Sequence, residues 1–248
     1  MKELIQEKLR EIEQHEECRI LLAVESGSRA WGFASPDSDY DVRFIYVCPE
    51  KAYLRLDRTR DVIEVPINDE LDINGWDIDK TLRLLHKSNP TVFEWLSSPI
   101  IYQTSAFADQ FRPIMQKYFS SKAGLCHYLH MAEGNYRDYL RGEMVRAKKY
   151  FYVLRPILAC KWILEKGTPP PMLFTDLVKS ELPDDLSETV YQLLDLKMNS
   201  PEIKEIPRID QLNRYLDAGI VSVKEQIEKL PDTPVQDWNE LNELFFSV

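Results

Sequence analysis

Cysteine is sparse in this 248-residue chain: Cys18, Cys48, Cys126 and Cys160 fall at no paired spacing. That argues against a Cys-x-x-Cys metal ribbon and against a disulfide framework, and leaves buried free thiols as the reading. Histidine is no richer. His15, His86, His127 and His130 lack a paired metal-ligand spacing, so no histidine-built metal centre is expected. No apolar run approaches the ~20 residues of a membrane span. The opening Met-Lys-Glu-Leu-Ile-Gln-Glu-Lys reads as an amphipathic helix rather than a signal peptide, and a cytoplasmic protein without a membrane partner is the expectation. Cations are in deficit: 31 Lys and Arg against 41 Asp and Glu leave a net charge of −10. A chain-wide electrostatic footprint for nucleic acid is therefore not expected, although a local basic groove is compatible with the balance. Repeats and low-complexity segments are also missing.

What the chain does have is concentrated in residues 25–46, Glu-Ser-Gly-Ser-Arg-Ala-Trp-Gly-Phe-Ala-Ser-Pro-Asp-Ser-Asp-Tyr-Asp-Val-Arg-Phe-Ile-Tyr. A predicted strand, 19–24, runs into Gly27-Ser28; a polar turn leads to Asp39-x-Asp41 and then to the apolar strand 42–47. Two residues apart at a strand edge, Asp39 and Asp41 project from one face. Carboxylates about 4 Å apart repel by roughly 4 kcal/mol at an effective dielectric near 20, so a divalent cation between them is the natural complement. Hard oxygen ligands suit Mg²⁺, which takes one or two carboxylates together with substrate phosphates. Gly27 lets the backbone pass close to a ligand, following amides form an anion cradle, and the Ser28 hydroxyl adds a donor. The plain alternative is a surface hairpin in which Pro36, Asp37, Ser38 and Asp39 merely turn the chain. Asp-x-Asp is common by itself; its place between apolar strands, downstream of Gly-Ser, favours a nucleoside triphosphate site. Arg29 and Arg43 flank this motif, as phosphate partners or as salt-bridge partners of nearby acids.

Periodicity predicts a helix over 3–16 with Leu4, Leu9 and Ile12 in its core face, and strands near 19–25, 41–48 and 61–74. Pro66 and Asn68-Asp69-Glu70 make the last of these interrupted or a hairpin. Helices follow over 79–87 and from Pro90 to Leu96, with proline in the first turn, and then over 105–119, 122–141, 144–165, 185–198, 208–230 and 235–246. The fold class is α+β, a small mixed sheet with flanking helices followed by a helical domain, with domains at 1–100 and 101–248. Charge reverses locally in 136–161, where Lys148, Tyr152 and Arg155 stand at i, i+4 and i+7 on one helical face. Cations there would meet phosphates and the tyrosine would stack on a base; an ordinary solvated face is the alternative.

The Gly-Ser…Asp-x-Asp string resembles the nucleotidyltransferase superfamily that includes DNA polymerase beta. The longer string Gly27–Arg43 is similar to the RNA repair pathway DNA polymerase beta family. So are Gly75-Trp-Asp-Ile-Asp-Lys80, Lys87-Ser-Asn-Pro90, Glu94-Trp-Leu96 and Lys148-Lys-Tyr-Phe-Tyr-Val-Leu-Arg-Pro156. The resemblance spans about residues 20–165. It implies two Mg²⁺ ions (Mn²⁺ as a substitute) and a third carboxylate on a neighbouring strand that serves the metal activating the acceptor hydroxyl. Asp72 and Asp77 are the candidates. Asp72 alternates with Leu71 and Ile73 as an inward strand residue does, whereas Asp77 precedes a helix and reads as a cap, as does Asp79. The implied reaction moves a nucleoside monophosphate from a triphosphate to a hydroxyl, an RNA 3′ end in repair being the leading acceptor, with release of pyrophosphate. Gly27, Ser28, Arg29, Lys148, Tyr152 and Arg155 would hold the nucleotide; Asp39, Asp41 and Asp72 would hold metal. A protein or small-molecule acceptor, and a non-catalytic antitoxin-like module, are the alternatives.

Overall fold

The computed structural model describes residues 1–57, 60–66, 70–200, 204–231, 234 and 236–248. They form two units: Met1–Ala30 with Asp39–Tyr118 and Val235–Val248, and Trp31–Ser38 with Phe119–Pro234.

The first unit carries a five-stranded mixed sheet. Its strands are β1 (Arg19–Glu25), β2 (Tyr40–Val47), β3 (Val62–Glu64), β4 (Leu71–Asp77) and β5 (Ile101–Thr104), in the order β3-β4-β2-β1-β5. The central pair β2 and β4 is parallel; the other pairs are antiparallel. Every residue of β1 after Arg19 is buried, as a strand covered on both faces requires. β4 alternates instead, with Leu71, Ile73, Gly75 and Asp77 buried and Asp72, Asn74 and Trp76 half-buried. Gly75 is dictated by crowding: a Cβ there would lie 2.1 Å from the Phe44 ring. Helices α1 (Lys2–His15), α2 (Gly27–Ala30), α3 (Glu50–Tyr53), α4 (Ile78–His86), α5 (Pro90–Leu96) and α6 (Ala106–Met115) flank this sheet within the unit, and a helix over Asn239–Phe246 completes the unit. α1 buries Ile5, Leu9 and Ile12 beside Val42, Phe44, Tyr46 and Ile73. Leu4, expected in that stripe, is exposed, because i, i+4, i+7 from Ile5 defines the face.

In the second unit α7 (Ser121–Tyr139) packs on α8 (Ala147–Lys166), with α9 (Phe174–Glu181), α10 (Asp184–Met198) and α11 (Asp210–Lys229) around them. α8 is apolar and buried over most of its circumference, the signature of a central helix. It stops at Gly167, whose φ of +66° makes a left-handed C-cap.

The elements differ in detail from the expectation. The segment 61–74, expected as an interrupted strand or a hairpin, forms the antiparallel pair β3–β4, which ends three residues later, at Asp77; Asn68 and Asp69 lie outside the described residues. Residues 144–146 are a short strand, β6 (Met144–Arg146), paired with β7 (Glu205–Pro207), so α8 begins at Ala147. The division at residue 100 also moves. β5 pairs with β1 and keeps residues up to Tyr118 in the sheet unit, while Trp31–Ser38 joins the helical one. Among the described residues no helix is long and apolar enough to cross a membrane.

Candidate active site

The antiparallel β1–β2 register puts Glu25 opposite Val42, and one step further the Ser26 N–H donates to the Asp41 carbonyl at 2.8 Å. The chain then turns sharply at Gly27, φ +58°, into the single turn of α2. Glycine is required there twice over. The left-handed backbone disfavours any Cβ, and a Cβ would stand 2.1 Å from Asp41 Oδ2. The turn expected to cradle phosphate is thus packed directly on the carboxylate expected to hold metal. Ser28 is buried in the same turn. Arg29 donates from Nε to the Asp39 carbonyl at 3.1 Å and stacks its guanidinium 3.6 Å from the centre of the Tyr40 ring. Asp39 is exposed and sits one residue before β2, which opens at Tyr40.

Asp72 arrives by a different route. In the parallel β2–β4 ladder Asp41 and Asp72 are register partners, so their side chains leave neighbouring strands on the same face of the sheet. Arg43 follows Asp41 by two and shares that face. Its Nη2 donates to Asp72 Oδ2 at 2.6 Å and to Asp41 Oδ1 at 3.2 Å; its Nη1 donates to the carbonyls of Val42 and Asp72, each at 3.1 Å. Asp77 lies at the opposite end of β4, in register with Tyr46. There it caps α4, accepting the Asp79 N–H at 2.8 Å, and accepts the Tyr53 hydroxyl at 3.0 Å. Burial pushes the Asp77 carboxyl up from its ordinary range. Geometry therefore separates the two candidates. If the site carries out nucleotidyl transfer, Asp72→Asn is expected to lower it by about 10²–10³-fold while nucleotide still binds with Mg²⁺. Asp77→Asn should stay near the wild-type rate, because asparagine caps about as well as aspartate. The reverse pattern in a turnover assay paired with nucleotide titration would transfer the role to Asp77.

Glu25 has no counterpart among the sequence motifs, because a lone glutamate at a strand end carries no pattern. It is fully buried, accepts the Asp41 N–H through Oε1 at 2.8 Å and accepts the Tyr102 hydroxyl through Oε2. It holds the backbone of the site strand from behind. Burial raises its carboxyl above the ordinary range, the two hydrogen bonds opposing that shift. A folded-state value raised in this way means that ionisation costs stability as pH rises from about 4.3 through the folded value. Glu25→Gln keeps one acceptor and removes the charge. Its melting temperature relative to wild type should rise between about pH 4 and pH 8, and a gap that shrinks over that range would contradict the assignment.

The helical unit treats the expected nucleotide-binding face differently from the expectation. Arg155 is 2 % exposed, with its guanidinium carbon 4.4 Å from the centre of the Trp31 ring and Nη2 3.7 Å from Met172 Sδ. A nucleotide-binding role predicts partial exposure to a ligand; instead Arg155 lies in the core beneath Trp31, where a cation on an indole face is favourable. Tyr152 is half-buried and meets Trp31 edge-on at 6.2 Å; Lys148 is half-buried. This face seats the loop that joins Gly27-Ser28 to Asp39. Phe33 packs against both Phe151 and Phe174, at 5.1 and 5.4 Å between ring centres, and the buried Lys197 donates to the hydroxyls of Ser35 and Ser38 at 3.1 and 3.2 Å. Nothing in the local sequence around Lys197 announces this.

The sequence profile of the RNA repair pathway DNA polymerase beta family matches residues 1–247. The chain belongs to this family. It is similar to the uncharacterized protein YcgL of Bacillus subtilis strain 168, at 46% identity over 250 residues, covering 100% of this chain and 96% of that one. A crystal structure of a nucleotidyltransferase-like protein from Exiguobacterium sibiricum 255-15 aligns over 91% of this chain and 75% of that one, with 12% identity and a TM-score of 0.33. As a member of the RNA repair pathway DNA polymerase beta family, the protein is nucleotidyltransferase-like.

The polymerase beta kinship implies divalent metal. Among the described residues no three His, Cys, Asp or Glu side chains are gathered closely enough to hold one. Asp41 and Asp72 nevertheless fit as a pair. Both are hard oxygen donors, about 30 % exposed, and both already accept from one cationic nitrogen. A Mg²⁺ site of two carboxylates completed by phosphate oxygens and water is ordinary.

Proposed function

We propose that this protein is a metal-dependent nucleotidyltransferase that moves a nucleoside monophosphate from a triphosphate to an RNA 3′ hydroxyl. The observation that carries the reading is the direct packing of Gly27 on the Asp41 carboxylate, with Asp72 as Asp41's register partner. A phosphate-binding turn placed against two carboxylates serves phosphoryl chemistry; a binding module has no physical need to hold like charges together. In this reading Gly27 and Ser28 bind the triphosphate through backbone and hydroxyl donors. Arg29, anchored on Tyr40 and the Asp39 carbonyl, meets a phosphate oxygen. Asp41 and Asp72 would hold a divalent cation as a pair, the exposed Asp39 standing two residues before Asp41, and Asp72 would take part in drawing the proton from the acceptor hydroxyl. A divalent cation held there would supply charge stabilisation for an in-line displacement that releases pyrophosphate. Glu25 keeps the Asp41 backbone in place, and Lys197 and Arg155 hold the loop between the two motifs. The RNA acceptor is taken from the family's description.

The test is incubation of the full chain with Mg²⁺, a pool of cellular RNA and each nucleoside triphosphate labelled at the α-phosphate. Label at RNA 3′ ends is the expected outcome. Label on protein or on a small molecule moves the acceptor to those classes, and nucleotide binding without transfer under any condition overturns the enzymatic reading.

A further inference from the structure

We infer that Arg43 is a resident counter-cation of Asp41 and Asp72, which a divalent cation must displace, so that metal and triphosphate bind cooperatively. This rests on the proposed function for the identity of the site. Four hydrogen bonds specify the guanidinium: two to carboxylate oxygens and two to the Val42 and Asp72 carbonyls. The Arg43 side chain is 19 % exposed and stands on β2, the middle strand of the sheet. With the guanidinium in place the two carboxylates are half neutralised and keep their spacing without metal.

A divalent cation bound to those same oxygens would sit within a few ångströms of this positive charge, a repulsion that a half-buried site does not screen as water does. Metal alone is therefore disfavoured. A triphosphate changes the balance, because its oxygens complete the metal shell and offer the displaced guanidinium a bidentate anionic partner. Asp41 is already divided for this exchange: Oδ1 faces Arg43 and Oδ2 lies against Gly27 at the start of the phosphate turn. The sign of the effect separates this role from simple support of the carboxylates, since loss of a mere support would weaken metal binding.

The experiment is Mn²⁺ titration of the full chain, followed by the electron paramagnetic resonance of free Mn²⁺, with and without a non-hydrolysable nucleoside triphosphate. Arg43→Gln should bind Mn²⁺ at least about tenfold more tightly than wild type without nucleotide. The gain in Mn²⁺ affinity on adding nucleotide, large in wild type, should shrink by a similar factor. Arg43→Lys, which keeps the charge, should stay near wild type in both respects; melting curves establish that each variant is folded. Equal or weaker Mn²⁺ binding by Arg43→Gln, or an unchanged nucleotide effect, overturns the proposal. Adding Asp41→Asn to Arg43→Gln distinguishes the two levels. If it abolishes Mn²⁺ binding while Arg43→Gln alone matches wild type, only the role of Arg43 falls. If it leaves Mn²⁺ binding intact, the metal site itself is misassigned and both readings fall.

Discussion

Asp41→Asn is expected to lower nucleotidyl transfer by about 10³-fold and to leave the protein folded. Asp41 is where three constraints meet. Its backbone N–H is held by the buried Glu25, its Oδ2 packs on Gly27, and its Oδ1 shares Arg43 with Asp72. Asparagine keeps the size and one acceptor oxygen, so the packing survives. What it removes is the negative charge that a hard cation needs. The stability cost should be about 1 kcal/mol or less, because the 3.2 Å contact with Arg43 is partly exposed and Arg43 keeps its shorter bond to Asp72. Single-turnover transfer alongside thermal melting checks both halves. A variant that retains wild-type turnover would remove Asp41 from the chemistry, and one that unfolds would make it a structural residue.

Gly27→Ala is expected to be the next most damaging change, although it removes no reactive group. The added methyl meets Asp41 Oδ2 at a distance no pair of atoms tolerates, at a position whose φ of +58° disfavours alanine in any case. The backbone strain should cost about 1–2 kcal/mol. The methyl drives the carboxylate aside, and misplacement of a reacting constellation by about 1 Å costs on the order of 10²-fold in rate. The combination of a modest drop in melting temperature with a loss of turnover far beyond it is the expected signature. If turnover instead declined only in proportion to the folded fraction, the contact between the turn and the carboxylate would have no catalytic meaning.

Much of this site is legible in the order of the residues. Gly-Ser followed by Asp-x-Asp between apolar strands marks the turn and the carboxylates. The alternation of Leu71, Asp72 and Ile73 sets Asp72 apart from Asp77, and the cap that Asp77 makes is a feature of its own helix start. Lys148, Tyr152 and Arg155 share one helix, α8, as their spacing predicts, yet spacing does not reveal their surroundings. A cation at i+7 from another looks the same in sequence whether it faces solvent or an indole ring, and Arg155 faces the indole.

Local chemistry by itself determined the turn at Gly27, the strand character of β1 and β2, the caps of α4 and α5 and the helical character of the second half. Each of these depends on residues a few positions apart, where alternation, capping and backbone preference act directly. The tertiary structure alone decided the rest. It made Asp72 the register partner of Asp41 across a parallel pair, set Arg43 between them, and brought β5 to the edge of the sheet. It also drew Trp31–Ser38 into the helical unit, where Lys197 reaches Ser35 across 162 residues of sequence. Such contacts are settled by burial and strand pairing between distant segments, whose free energy no short stretch of the chain contains on its own.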